Sequence, residues 1–349
     1  MISSSGGRAA RPASAALART VAAVAALIAM IVNAGIGNAW GQAPPYPNRP
    51  VRLIVGQQPG SAPDVVGRLV AERLAEVWGQ PVIVENRSGA GGTIAADMVA
   101  KSAPDGYTVL LGSQSALSLA VAVQADLRYD PQRDFAPIGR IVNVPLFLVV
   151  RAALPVRTFR EFVAHARDNP GAMTIATLGP GTVPDILVGV IRSSYGVDIV
   201  TIPYRGVAVA LSDLLGGIVD AMVSDATQAQ PHVQAGSLRF VGVTGSRRAR
   251  VAPEVPTLAE QGLQNFPIEA WQAIVVPAKT PPEIVERLSR SLAQVLELPP
   301  VRQRFEDLGY EPITETPAQF ASALRAEIER VSAVIRAGAN RHETPGTPR

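Results

Sequence analysis

The sequence predicts an α/β protein made of two successive strand–loop–helix units. Its 349 residues allow two domains of ordinary size. Apolar residues make up 47% of the chain, enough for a large core. Apolar runs of strand length alternate with stretches of helical spacing, and many runs end at one of the 30 Gly or 30 Pro.

The opening stretch is of another kind. Arg8, Arg11 and Arg19 precede the apolar run Val21 to Val32, and small residues follow. This is the pattern of a secretory signal peptide over residues 1–43, cleaved near Ala39 or Ala43, and it implies export. An uncleaved anchor fits less well, because Asn33 cuts the run short of the roughly 20 residues that span a bilayer. The whole chain carries 32 Lys and Arg against 29 Asp and Glu, and removing those three Arg leaves 29 against 29. The basic excess belongs to the leader, so a nucleic-acid partner loses its support.

The first unit begins with a strand, Val51, Leu53, Ile54 and Val55, apolar enough for burial on both faces. Gly56, Pro59 and Gly60 stop it, and Ser61 and Asp64 have the spacing of a capping box. Val66, Leu69, Val70, Leu74 and Val77 continue as a helix closed by Gly79. A helix start beyond a parallel strand offers free N–H groups to an anion such as a carboxylate; the pattern equally fits a βα turn that binds nothing. A strand at Pro81 to Glu85, a helix at Thr93 to Lys101 and a strand at Tyr107 to Leu111 follow.

Runs at Ile138 to Val142 and Leu146 to Val150 read as strands leaving this unit. The second unit holds a helix at Thr158 to Arg167, a strand at Met173 to Thr177 and the loop Leu178 to Thr182. A helix to Tyr195, strands at Asp198 to Ile202, Val219 to Val223 and Leu238 to Thr244, and helices at Val207 to Leu215 and Ala226 to Ala235 complete it. Ile268 to Val276 is a further strand, and helices start at Pro282 and Pro317.

Catalytic chemistry is hard to assemble. Cysteine is absent, and His165, His232 and His342 have no metal-ligand neighbour one turn away. There is no G-x-S-x-G elbow and no P-loop. Gly89-Ala90-Gly91-Gly92-Thr93-Ile94 begins like a dinucleotide fingerprint and fails at Ile94. No cofactor and no metal are expected.

Several motifs carry a family resemblance. They are Tyr46-Pro47 with Arg49-Pro50, Gly79-Gln80-Pro81-Val82-Ile83-Val84-Glu85-Asn86-Arg87 with Gly89-Ala90-Gly91-Gly92, and Ala103-Pro104-Asp105-Gly106-Tyr107-Thr108. Further on stand Tyr129-Asp130-Pro131, Asp134-Phe135-Ala136-Pro137, Pro203-Tyr204-Arg205-Gly206, Asp213-Leu214-Leu215-Gly216-Gly217 and Val255-Pro256-Thr257. Through these the chain resembles the periplasmic solute-binding proteins of tripartite tricarboxylate transporters, the Bug family.

The resemblance implies a two-lobed periplasmic binding protein fold, type II-like. Each lobe would be a mostly parallel sheet flanked by helices, with the ligand cleft between the lobes. Residues 44–147 and 270–340 would form lobe 1, 148–269 lobe 2, and 341–349 a loose tail. It also implies a monomeric, non-enzymatic receptor that hands a small organic acid or amino acid to a membrane permease. A ligand-presenting sensor subunit and an enzyme on the same scaffold are the alternatives.

The ligand carboxylate would sit between Gly56 to Asp64 and Thr177 to Thr182. The candidate binding residues are Gln57, Ser61, Asp64, Gln114, Ser115, Thr177, Gly179, Thr182, Tyr204 and Asp225, all at predicted strand ends. Ser61 and Thr182 also suit plain helix caps, and Tyr204 a core aromatic. Gln57 stands where the family usually has an aromatic residue, and Asp185 where it often has His. Asp185 and Asp225 fit helix caps. If either reached the cleft it would favour a ligand bearing an amino or amide group.

Overall fold

The computed structural model describes residues 22–26, 46–264, 266 and 268–342, with side chains to residue 335. The chain divides into two units at Asn48/Arg49. Of the first, residues 22–26 are helical and the Tyr46–Pro47 peptide is cis. The expected cleavage sites at Ala39 and Ala43 and the tail beyond residue 342 lie outside the described residues. No helix among the described residues is long and apolar enough to cross a membrane.

The second unit contains two sheets. The first has six strands in the order β11-β4-β10-β3-β1-β2. These are β1 (Val51–Val55), β2 (Val82–Asn86), β3 (Thr108–Ser113), β4 (Phe135–Val144), β10 (Ala270–Pro277) and β11 (Glu311–Pro312). The second has five strands in the order β7-β6-β8-β5-β9. They are β5 (Leu146–Arg151), β6 (Thr174–Thr177), β7 (Val200–Pro203), β8 (Ala221–Asp225) and β9 (Leu238–Val243). Only Pro145 separates β4 from β5, so the chain steps from one sheet to the other almost without a linker.

Strands β1, β2 and β3 run parallel, as do β6, β7 and β8, in keeping with the strand–helix alternation. Both sheets are nonetheless mixed rather than mostly parallel. β10 lies antiparallel to β3 and β4, and β5 antiparallel to β8 and β9. These are the strands by which the chain passes between lobes, and a chain returning through a sheet enters it from the opposite end.

The helices are α1 (Ala62–Trp78), α2 (Thr93–Ala100), the short α3 (Ala120–Val123), α4 (Phe159–Asp168) and α5 (Val183–Tyr195). There follow α6 (Val207–Leu215), α7 (Ala226–Gln234), α8 (Pro282–Leu296), α9 (Pro299–Asp307) and α10 (Pro317–His342). α4 starts on a full capping box, Thr158 with Glu161. α10 joins the two cores. Its Phe320, Leu324 and Ile328 are buried with Trp271 and Leu117 of the first lobe. Val331, one turn on, is buried with Leu187 and Ile191 of the second. Burying such side chains stabilises by roughly 1.5–3 kcal/mol each, so the helix is anchored in both lobes.

Candidate functional site

The parallel strands of each sheet end on one edge, and the loops from the two edges meet. A Cβ built on Gly91 would stand 3.5 Å from Thr182 Cγ2 and 3.8 Å from Ser115 Cβ. One built on Gly181 would stand 2.7 Å from Val123 Cγ2 of α3. The cleft is therefore closed. Gly91 and Gly92 have φ of +67° and +99°, which a residue with a side chain rarely adopts, so this turn requires glycine.

The two main loops are built alike. In lobe 1, Pro59-Gly60-Ser61-Ala62-Pro63-Asp64 leads into α1; in lobe 2, Pro180-Gly181-Thr182-Val183-Pro184-Asp185 leads into α5. Gly60 and Gly181 have φ of +79° and +76°. Ser61 Oγ donates to Gln58 O at 2.6 Å, and Thr182 Oγ1 donates to Gly179 O at 2.7 Å. Gly60 N–H donates to Asp64 Oδ2 at 2.9 Å, and Gly181 N–H donates to Asp185 Oδ2 at 3.1 Å. This corrects the expected capping box. Ser61 is the N-cap residue but its side chain turns back along the loop, and the acid binds the preceding glycine instead. Each lobe thus presents a helix N-terminus whose first N–H groups have no partner within the helix, the arrangement that attracts an anion.

The loops differ in charge. Asp64 Oδ1 also accepts from Asn86 Nδ2 at 2.9 Å and pairs with Arg68 at 3.0 Å. Burial alone would raise the Asp64 carboxyl, but the bonds from Arg68, Gly60 and Asn86 carry it below the usual carboxylate range. The position four residues after Asp185 is Gly189, so no such cation exists there. Burial holds the Asp185 carboxyl above its ordinary value, with Gly181 and Arg192 offsetting part of the effect.

The candidate residues fall into two groups. Thr182 and Ser115 flank Gly91 at the seam, Gln57 lies beside Gly92, and Gly179 accepts from Thr182 within the lobe 2 loop. Gln57 Nε2 donates to Ser113 Oγ at 3.0 Å, while its Oε1 is buried without a partner. Thr177 ends β6, is buried, and its carbonyl accepts from Tyr204 N–H at 2.8 Å. Tyr204 is half-buried, and its hydroxyl donates to Asp213 at 2.6 Å, which pushes the phenol up to about 12.

The second group is turned away from the seam. Asp64 and Ser61 hold their own loop. Gln114 is buried and donates to Glu327 of α10 at 2.7 Å, where Trp271 Nε1 donates at 2.9 Å. Asp225, expected at the cleft, caps α7 by accepting from Thr227 N–H at 3.0 Å and from the Thr227 hydroxyl. It is buried, and that burial raises its carboxyl, with the Thr227 bonds offsetting part of the effect. The sequence reading did not single out Gln58, Ser113 or Gly206, nor the repeated Pro-Gly-Ser/Thr-X-Pro-Asp motif that marks both loops. Among the described residues, no group of three or more His, Asp or Glu is placed to hold a metal ion.

Two α/β lobes hinged at short crossings, with paired helix N-termini facing a shared cleft, define a solute-binding protein. The chain belongs to the Tripartite tricarboxylate transporter family receptors, whose model matches residues 66–339. It is 36% identical to Protein BugT of Bordetella pertussis, over 88% of this chain and 94% of that one. The fold superposes on MatC from Rhodopseudomonas palustris with bound malate at TM-score 0.77 and 33% identity, over 83% of this chain and all (100%) of that one. A second R. palustris protein, solved with adipate, gives 0.79 and 32%, covering 84% and 98%.

Proposed function

We propose that this protein is a periplasmic receptor that closes its lobes on a small organic acid and delivers it to a membrane permease. The observation that carries this is the pair of matching loops at 59–64 and 180–185, each presenting a helix N-terminus to the same cleft. A carboxylate held between them takes contacts from both lobes, so binding and closure are one event. Gln57, Ser115, Thr177, Gly179 and Thr182 are the residues we assign to the ligand, with Ser61, Asp64, Gln114, Tyr204 and Asp225 positioning them. The relatives solved with malate and adipate support an acid of this size.

The same reading favours a plain acid over an amino acid. Asp185 and Asp225 are both engaged by local backbone donors, so neither calls for a ligand ammonium. Export under the leader, cleavage near Ala39 or Ala43 and action as a monomer complete the proposal. The test is thermal denaturation of the mature protein with malate, adipate, succinate and aspartate. One of the plain acids should raise the melting temperature by mass action. No shift with any of them, a larger shift with aspartate than with succinate, or turnover of the stabilising acid, would contradict it.

A further inference from the structure

One buried carboxylate has no part in the site described above. Glu327, 6% exposed on α10, makes no ion pair among the described residues. Each of its oxygens accepts one neutral donor: Gln114 Nε2 reaches Oε1 at 2.7 Å, and Trp271 Nε1 reaches Oε2 at 2.9 Å. Arg140 lies over the Trp271 ring, 5.5 Å from its centroid, but pairs with Glu315 instead. A buried carboxylate without a cation is a poor source of stability. What it supplies when both oxygens are bonded is fixed geometry.

The placement of this network is specific. Gln114 immediately precedes the π-helical turn Ser115–Leu119, which runs into α3. Such turns are rare and recur at functional sites. The carbonyl of Ala116 within it accepts from the buried Tyr129 hydroxyl at 2.6 Å. Its first residue, Ser115, is the one that reaches the seam beside Gly91 and Thr182. At the other end of the network, Glu327 stands on α10 between Leu324, buried in the first-lobe core, and Val331, buried in the second. The turn that carries Ser115 is therefore held from the helix that both lobes share.

We propose that Glu327 is a positioning residue for ligand capture: through Gln114 it sets the π-helical turn that brings Ser115 to the seam, and it ties that turn to α10. Glu327 touches no ligand. It acts by keeping the turn in the one arrangement that meets the acid, and a receptor that visits this arrangement less often binds more weakly in proportion. The inference rests on the assignment of Ser115 to the acid, made above, and deepens it by naming what holds Ser115 in place.

The test compares Glu327→Leu, which has no acceptor, with Glu327→Gln. The amide of the latter keeps an oxygen for Trp271 and offers an N–H to Gln114 Oε1, which is buried without a partner. The first readout is amide hydrogen exchange of the ligand-free protein. In Glu327→Leu, exchange over residues 115–123 should rise at least about tenfold, with β1 and β2 of the same lobe unchanged. The second is calorimetry with malate, succinate and adipate. Whichever of them binds wild type should bind Glu327→Leu about tenfold more weakly. Glu327→Gln should restore both quantities to within about twofold of wild type. Gln114→Met cuts the same link from the other side, should reproduce the exchange result, and decides the matter if Glu327→Leu does not fold. Unchanged exchange over 115–123, or a rise spread evenly across lobe 1, overturns the proposal. So does wild-type affinity in Glu327→Leu, or a glutamine variant as impaired as the leucine one. Exchange needs no acid, so it decides this point even if none of the three binds and the receptor reading fails.

Discussion

Gln58 and Gly206 meet across the cleft so closely that a Cβ built on Gly206 would stand 2.5 Å from Gln58 Oε1. Gly206 is extended, with φ −170°, so a larger residue there strains no backbone. Its side chain would instead act as a wedge between lobes. Gly206→Leu should weaken ligand binding at least about tenfold while leaving the melting temperature of the unloaded protein within about 2 °C of wild type. Calorimetry and a melting curve read the two quantities, and equal affinity would show that closure does not need this contact.

Thr177 ends β6 at the cleft edge with its backbone carbonyl already engaged by Tyr204. Its hydroxyl is the group left to meet a ligand. Thr177→Val keeps the shape and removes the hydroxyl, and should weaken binding by about 1 kcal/mol or more. The shortfall should appear in titration calorimetry with the stabilising acid, and be absent from the unfolding free energy.

Asp64 and Asp185 are structural equivalents with opposite pH behaviour. The Asp64 carboxyl lies below its ordinary value of 3.8, so its contribution is complete above that value and lost as pH falls through the lowered one. The Asp185 carboxyl is raised above 3.8, so its charged form costs stability near neutral pH, and the cost fades as pH falls through the raised value. Asp64→Asn should therefore melt below wild type near neutral pH, and Asp185→Asn above it. Both differences should shrink in acid. Melting curves across that range test the signs.

Lobe 2 lacks the cation that Arg68 supplies in lobe 1. The equivalent position, Gly189, is exposed in the middle of α5, and a Cβ there meets nothing within 4 Å. Gly189→Ala should stabilise by about 1 kcal/mol through helix propensity alone. Gly189→Arg should do somewhat better, by adding an i,i+4 pair with Asp185 worth a few tenths of a kcal/mol. Urea unfolding measures both, and an arginine variant no better than the alanine one would mean that no pair forms.

Local pattern made much of the first lobe legible. The periodicity of Val66, Leu69, Val70 and Leu74 and the glycine after Trp78 placed α1, and the runs at Val51 and Tyr107 placed its parallel neighbours. Pairing across long separations was not legible. Nothing local says that β10 inserts between β3 and β4, or that it runs against both. The helix Pro299–Asp307 was missed because two prolines and a polar composition read as loop. Of the site, the loops could be seen, but not which acids are engaged. Arg68 is one turn from Asp64 and visible in the sequence, whereas Gln114 reaches Glu327 only through the fold.

The central position of β10 also orders the birth of the molecule. Lobe 2 draws its sheet from one continuous stretch, residues 146–243, and can form it as soon as that stretch is available. Lobe 1 cannot close its sheet until residues 270–277 arrive between strands made more than a hundred residues earlier. Its β1–β2–β3 half must therefore wait with an unpaired edge, an arrangement prone to pairing with other chains. The most exposed moment in the making of the receptor is the wait of its first-made strands for β10.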